Sequence, residues 1–318
     1  MKDVYKAEVP SLPPRPGSRL VSRLVGELLL AGPGDVVAAL EDHLGHRVPR
    51  DRAIFLLLIL RESGRLTGAS VLSGGVSISA VARSLDRPFE TVRRHVNALI
   101  GDGICETSRN GVIVSAATWD LPPFLALTQL LHDRFVAMIA DLAHSGIALP
   151  DSRAGVRHDP DAIVAAAIDI ILAPFEYVAS QFRSWLEMMV VCAVTTGSVR
   201  QVTYDPILTR RYADADTIPP DQIREPVVIA GVARALRLHY ATVRREVQAA
   251  IACGTLMRAG AGVRATEAYL SDVTISRGGM LVAARTAQVL QRLACAGFRL
   301  EDPASYYLVG KPALPAFD

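Results

Sequence analysis

The stretch Val81–Gly103, VARSLDRPFETVRRHVNALIGDG, decides the fold, because a close copy, VARALRLHYATVRREVQAAIACG, begins again at Val232. The offset is 151 residues. Aligning Val76–Gly103 with Val227–Gly254 needs no gap and gives 14 identities in 28 positions. A repeat of this length sets the frame for everything else, since a missed repeat mis-assigns the whole fold.

Within the first copy, Ile78, Val81, Ala82 and Leu85 recur at i, i+3, i+4 and i+7. That spacing predicts a short amphipathic helix with Ser77 as its N-cap. Pro88 turns Arg87 away from helical dihedrals, and a second helix follows with Val92, Val96, Leu99 and Ile100 on its buried face. After Gly103, the segments ICETS and VIVS flank Asn110–Gly111, a strong hairpin signal. The second copy repeats the order, with Gly262 and Val263 opposite Gly111 and Val112.

Helix, turn, helix and hairpin together resemble the winged helix-turn-helix of bacterial transcription regulators of the MarR, GntR and IclR type. The resemblance rests on V-A-x-x-L-x(5)-T-V-x-R-x-V-x-x-(L/A)-x-x-x-G and covers about 40 residues in each half. It implies a mainly α fold with small β-hairpin wings, in which two tandem winged-helix modules are joined by long apolar helices in a pseudo-two-fold arrangement. The expected organisation is a flexible arm over 1–18, a first module over 19–150 with its motif at 76–115, and a second over 151–318 with its motif at 227–266.

The flanks extend the likeness. RAIFLLLILRE ahead of the first copy resembles RSWLEMMVVCA near Arg183, so an apolar helix is expected before each winged helix. LHDRFVAMIADLAHSGIAL and VAARTAQVLQRLACAGFRL resume the same offset after each wing, placing Arg134 opposite Arg285. Only the second half carries the insertion VTYDPILTRRYADADTIPPDQIREP.

The resemblance also implies double-stranded DNA as the partner, with the second helix of each motif entering a major groove. One chain would supply two such helices for an imperfect palindrome. The outer face of the first is read as Glu90, Thr91, Arg93, Arg94 and Asn97, and that of the second as Ala241, Thr242, Arg244, Arg245 and Gln248. Arginine suits guanine, asparagine and glutamine suit adenine, and threonine suits phosphate or a thymine methyl. The two faces are expected to differ at Glu90/Ala241, His95/Glu246 and Asn97/Gln248. Arg109 and either Arg258 or Arg264 are candidates for wing contacts, Arg83 and Arg234 for the DNA backbone or an acid of the protein. Lys2, Lys6, Arg15 and Arg19 are candidates for a groove-tracking arm.

Composition neither announces nor excludes nucleic acid. Net charge is +2, and the only lysines are Lys2, Lys6 and Lys311, so a solvated arginine-rich face is the plain alternative for the recognition helices. The N-terminus lacks the apolar core of an export signal, and the apolar runs near 53–60 and 162–173 fall short of a bilayer span. A cytoplasmic protein follows from these signs, as does the absence of any membrane partner.

No nucleophile-elbow, zinc-protease, P-loop or dinucleotide motif occurs, so no enzymatic activity and no cofactor are expected. Cys105, Cys192, Cys253 and Cys295 lie too far apart for a zinc motif, and His43 and His46 beside Glu41 and Asp42 read as a solvated helix end. The position of Cys105 and Cys253 beside the recognition helices raises a redox switch. Phe175, Tyr177, Phe182, Trp185, Met188 and Met189 are either core or the lining of an effector pocket, a question sharpened by the acids Asp169 and Glu187. Apolar content admits a homodimer. The functional expectation is a sequence-specific transcription regulator; the alternative is a plasmid replication initiator or a chromosome-organisation protein that uses winged helices to bind partners.

Overall fold

The computed structural model describes residues 17–62, 74–153 and 159–317, and is mainly helical with two small antiparallel hairpins. Lys2, Lys6, Arg15 and most of the expected arm lie outside these residues. Arg19 does not belong to an arm: α1, Ser18–Leu44, begins just before it, and Gly17 and Ser18 are buried.

The offset of 151 residues recurs in the element bounds. Helices α3, Ile78–Ser84, and α4, Phe89–Gly101, lead to β1, Cys105–Ser108, and β2, Gly111–Val114. In the second half α10, Ile229–Ala235, and α11, Tyr240–Ala252, lead to β3, Leu256–Ala259, and β4, Gly262–Ala265. The long helices α5, Pro122–His144, and α13, Val273–Cys295, keep the same offset, with the short helix α12, Glu267–Ser271, leading into the second. The turn before each second helix passes through a left-handed residue at matching positions, Asp86 (φ 49°) and Arg237 (φ 51°). An arginine there is unusual; its guanidinium is held by the carbonyl of Gly34 (3.2 Å) and the carboxylate of Asp35 (3.4 Å).

Each hairpin is joined by a bridging residue from ahead of its first helix, Val76 to Val112 and Val227 to Val263. That third segment runs so close that a Cβ on Gly111 would lie 2.5 Å from the Val76 carbonyl, and one on Gly262 would lie 2.6 Å from that of Val227. These glycines are needed for close approach rather than for the turn itself. The first turn is centred on Arg109 and Asn110, one residue before Asn110–Gly111, because Ser108 pairs with Gly111.

Apolar helices precede both motifs as expected: α2, Arg50–Glu62, packs on α3, α4 and β2, and α7, Trp185–Ser198, packs on α10, α11 and β4. Four longer helices form the centre. Helix α1 packs against α5 and α13, and α6, Pro160–Tyr177, packs against the same two. One continuous apolar core runs from this bundle into both halves. The segment Pro160–Gln181 is apolar enough to span a membrane by length and composition, with 67% of its most apolar window buried inside the fold.

Buried ion pairs tie the bundle together. Asp35 on α1 accepts from Arg134 on α5 (2.6 Å). Asp169 on α6 accepts from Arg285 (2.6 Å) and Arg292 (2.8 Å) on α13, with Arg61 of α2 at 3.5 Å. Arg61 also meets Glu176 at 2.7 Å. Glu187 is likewise taken up by Arg183 (2.8 Å). Phe175, Trp185, Met188 and Met189 are buried, and Phe175 meets Trp185 edge-on at 5.2 Å between centroids. These side chains are therefore core, and both acids raised as pocket groups are already matched by arginines.

The insertion between α7 and α10 forms two short helices, α8, Arg200–Tyr204, and α9, Pro206–Arg211, then covers the start of α1. The Arg19 and Leu20 amides donate to the Ala213 carbonyl (2.9 and 3.0 Å), and the Gly17 amide donates to Asp214 Oδ1 (2.6 Å). Amides that a helix start leaves unpaired are thereby satisfied. The C-terminal segment is also pinned: Asp133 on α5 accepts the amides of Leu308 (2.8 Å), Val309 (2.8 Å) and Gly310 (2.9 Å).

Burial raises the Asp133 carboxyl, but those amides and His132 more than offset it and hold it below the usual range. A depressed carboxylate contributes stability above the ordinary aspartate value near 3.9 and loses it as pH falls through the folded value. Asp133→Asn is therefore expected to melt lower than the parent chain at neutral pH, with the gap narrowing below about pH 4. Thermal unfolding across pH 3–7 checks this, and a gap that stays constant refutes it.

Candidate nucleic-acid interface

Helix α4 forms because its apolar positions fall on one stripe: Val92, Val96 and Leu99 are each 0% exposed. Burying each such side chain contributes about 1.5–3 kcal/mol. Helix α11 repeats the stripe with Val243, Val247 and Ala250, also fully buried. Alanines elsewhere on α11 supply propensity.

The stripe leaves Glu90, Arg93, Arg94 and Asn97 exposed on α4, with Thr91 half-buried beside them. On α11 it leaves Ala241, Arg244, Arg245 and Gln248 exposed, again with Thr242 half-buried. The residues selected from the sequence are thus brought together on the free face of each helix. Arg94 and Arg244 have no carboxylate within ion-pair distance among the described residues. Arg93 is held by Glu90 at 2.7 Å in an exposed i,i+3 pair, and Arg245 lies 3.4 Å from Glu246. A pair as exposed as Arg93–Glu90 exchanges at little cost for a phosphate.

Comparison with known proteins finds no match. No family model, curated protein or solved structure matches the chain.

Two expected face residues need correction. His95 is 8% exposed and packs on Phe55, with ring centroids 5.5 Å apart. It lies at i+3 from Val92 and belongs to the buried stripe. Glu246 is half-buried between Arg245 and Arg183. The faces therefore differ at Glu90/Ala241 and Asn97/Gln248 alone among the three expected pairs.

On the wings, Arg109 and Arg258 are exposed, the first at the hairpin turn and the second on β3. Arg264 is not available: it pairs with the Asp221 carboxylate and donates to its carbonyl (2.9 Å). Arg234 donates to the Phe317 carbonyl at 3.4 Å. Cys105 is buried, which pushes its thiol up to about 12 and opposes thiolate chemistry; Cys253 is exposed. His46 contacts the Arg47 carbonyl, and among the described residues no group of three His, Cys, Asp or Glu could hold a metal.

Sequence reading missed Phe89 and Tyr240. They are the first residues of α4 and α11, stand at the same offset, and are 45% and 51% exposed. The signal was an aromatic at both copies of a position where the apolar stripe does not call for one.

The two helix-turn-helix segments are also braced reciprocally. Arg50, opening α2, donates to the Leu236 carbonyl in the turn before α11. Arg87, in the turn before α4, lies over the ring of Trp185, which opens α7, 4.4 Å from its centroid. Each turn is thus held by the other half's leading helix, which restrains the two exposed faces relative to one another.

Proposed function

We propose that this chain is an internally duplicated pair of winged helices that binds double-stranded DNA sequence-specifically as a non-catalytic, cytoplasmic transcription regulator. The observation that carries this reading is the recurrence, at one offset, of an exposed Arg-Arg pair beside a half-buried threonine on two helices whose other sides are buried. Arg94 and Arg244 select guanine, Arg93 and Arg245 neutralise phosphate or add a second base contact, and Asn97 and Gln248 read adenine. Arg109 and Arg258 of the wings approach the backbone or minor groove. Phe89 and Tyr240 flank the sugar-phosphate chain at each helix start.

The bracing of the two turns supports a single rigid reader, so the spacing between half-sites is set by the fold. Because Glu90 faces Ala241 and Asn97 faces Gln248 across the repeat, the operator is an imperfect palindrome. The experiment is selection of fragmented genomic DNA on the full chain at physiological salt, followed by sequencing. A few sites with a quasi-two-fold consensus support the reading. A strictly two-fold consensus contradicts one chain reading both halves, and uniform retention or none contradicts the reading altogether, pointing to winged helices that serve protein partners.

A further inference from the structure

The segment 308–317 contains neither helix nor strand, yet both halves of the chain hold it along its length. Its start is fixed by α5, where Asp133 accepts three of its amides and Asp141 pairs with Lys311 at 2.7 Å. Every second carbonyl after that is taken by an arginine from a different helix. Arg134 of α5 donates to Ala313 (3.2 Å), Arg200 of α8 to Pro315 (2.7 Å) and Arg234 of α10 to Phe317 (3.4 Å). Carbonyls that no secondary structure satisfies are thereby paired, and the register of the segment is set. Arg200 also lies over the Phe317 ring, 4.6 Å from its centroid, and is itself fixed by Glu27 of α1 through hydrogen bonds of 2.8 and 2.6 Å.

Two glycines make room for the end of this segment. A Cβ on Gly197 of α7 would lie 3.1 Å from Cζ of Phe317. One on Gly231 of α10 would overlap the Phe317 carbonyl oxygen and lie 2.8 Å from its carbon. Gly231 sits inside α10 and is not among the left-handed glycines, so the backbone does not call for it there. Glycine also weakens a helix relative to alanine. The repeat carries Ala80 at the matching position of α3, where the Cβ itself fills the slot. The glycine of the second half therefore answers to the main chain lying on it.

We infer that Phe317 and Gly231 are positioning residues for the second recognition helix. The Phe317 carbonyl, seated on Gly231, locks α10 through 308–317 to α5 of the first half, and α11, which packs on α10, takes its place on DNA from that lock. The inference rests on the DNA-binding reading and makes the two halves unequal. Reading of the second half-site depends on this segment; reading of the first does not, because Ala80 leaves no slot for a carbonyl.

Gly231→Ala in the full chain tests the lock, first by thermal melting without DNA. Alone it is expected to lower the melting temperature, because either the carbonyl or the helix must move. In a Phe317→Ala background, where the end of the segment is released, the same change is expected to cost nothing or to raise the melting temperature, alanine being the better helix former. Phe317→Leu, which gives up the stack on Arg200, takes that place if the alanine variant fails to fold. On DNA, Gly231→Ala and Phe317→Ala are each expected to reduce preference for the second half-site about tenfold, the size of one base contact, with the first half-site read as before. An equal melting loss in both backgrounds overturns the lock. A coupled melting loss with both half-sites read as in the parent chain, or with both weakened alike, overturns the positioning role. If the parent chain selects no operator, the positioning role falls with the DNA-binding reading, while the melting comparison still decides the lock.

Discussion

Replacing Asp169 with alanine is expected to cost about 3–5 kcal/mol of stability, the range for breaking a buried ion pair by removing one partner. The carboxylate sits at 6% exposure on α6 and accepts from Arg285 and Arg292 of α13, with Arg61 of α2 close by. Of these, Arg292 is 60% exposed at its side chain and turns to solvent when its partner goes. Arg61 keeps Glu62 and Glu176. Arg285, at 14%, is left buried and unmatched, so most of the loss falls there. Thermal unfolding should register a drop on the order of 10 °C. The decisive control is Asp169→Leu combined with Arg285→Met: removing both charges recovers most of the lost stability if the penalty is an orphaned cation. If the double variant is as unstable as Asp169→Ala, the carboxylate acts through something other than this pairing.

The same cluster marks where the sequence stops being readable. Elements within each motif were legible because their determinants are local: the i, i+3, i+4 stripes of α3 and α4, the Ser77 cap, which accepts from the Ala80 amide at 3.1 Å, and the paired strands after Gly103. The apolar helices ahead of both motifs were legible from their likeness to one another. The acid–arginine matches were not, since Asp35 and Arg134 stand 99 residues apart, and Asp169 and Arg285 stand 116 apart. No periodicity links such positions. Arg264 was misjudged for the same reason: strand alternation turns it outward, but Asp221, 43 residues earlier in the insertion, folds over it. His95 is a different failure. Its i+3 position from Val92 was readable, and the polar residue type drew it onto the wrong face.

Changing Arg93, Arg94, Arg244 and Arg245 together to alanine is expected to reduce specific DNA binding by about a thousandfold or more, to the level of non-specific contact. Each arginine that reads guanine is worth about 1–3 kcal/mol, and the losses at Arg94 and Arg244 together with the phosphate contacts of Arg93 and Arg245 reach the lower end of the margin of about 4–10 kcal/mol between specific and non-specific sites. Folding should be unaffected, since all four side chains are exposed and, among the described residues, their ion pairs are those of Arg93 and Arg245 with surface or half-buried glutamates. The salt dependence separates their roles. Each phosphate contact removed lowers the slope of log K against log salt by about 0.9, whereas loss of a base contact lowers affinity with the slope unchanged. Arg94→Ala and Arg244→Ala, proposed to read guanine, should therefore cost affinity at guanine positions of one half-site each while leaving the slope nearly intact. Mutating either helix alone should abolish preference in its own half-site and preserve it in the other, because the braced turns keep the second face in place. Equal loss of preference in both half-sites from a change confined to α4 would mean that two chains, rather than two halves of one, share the operator.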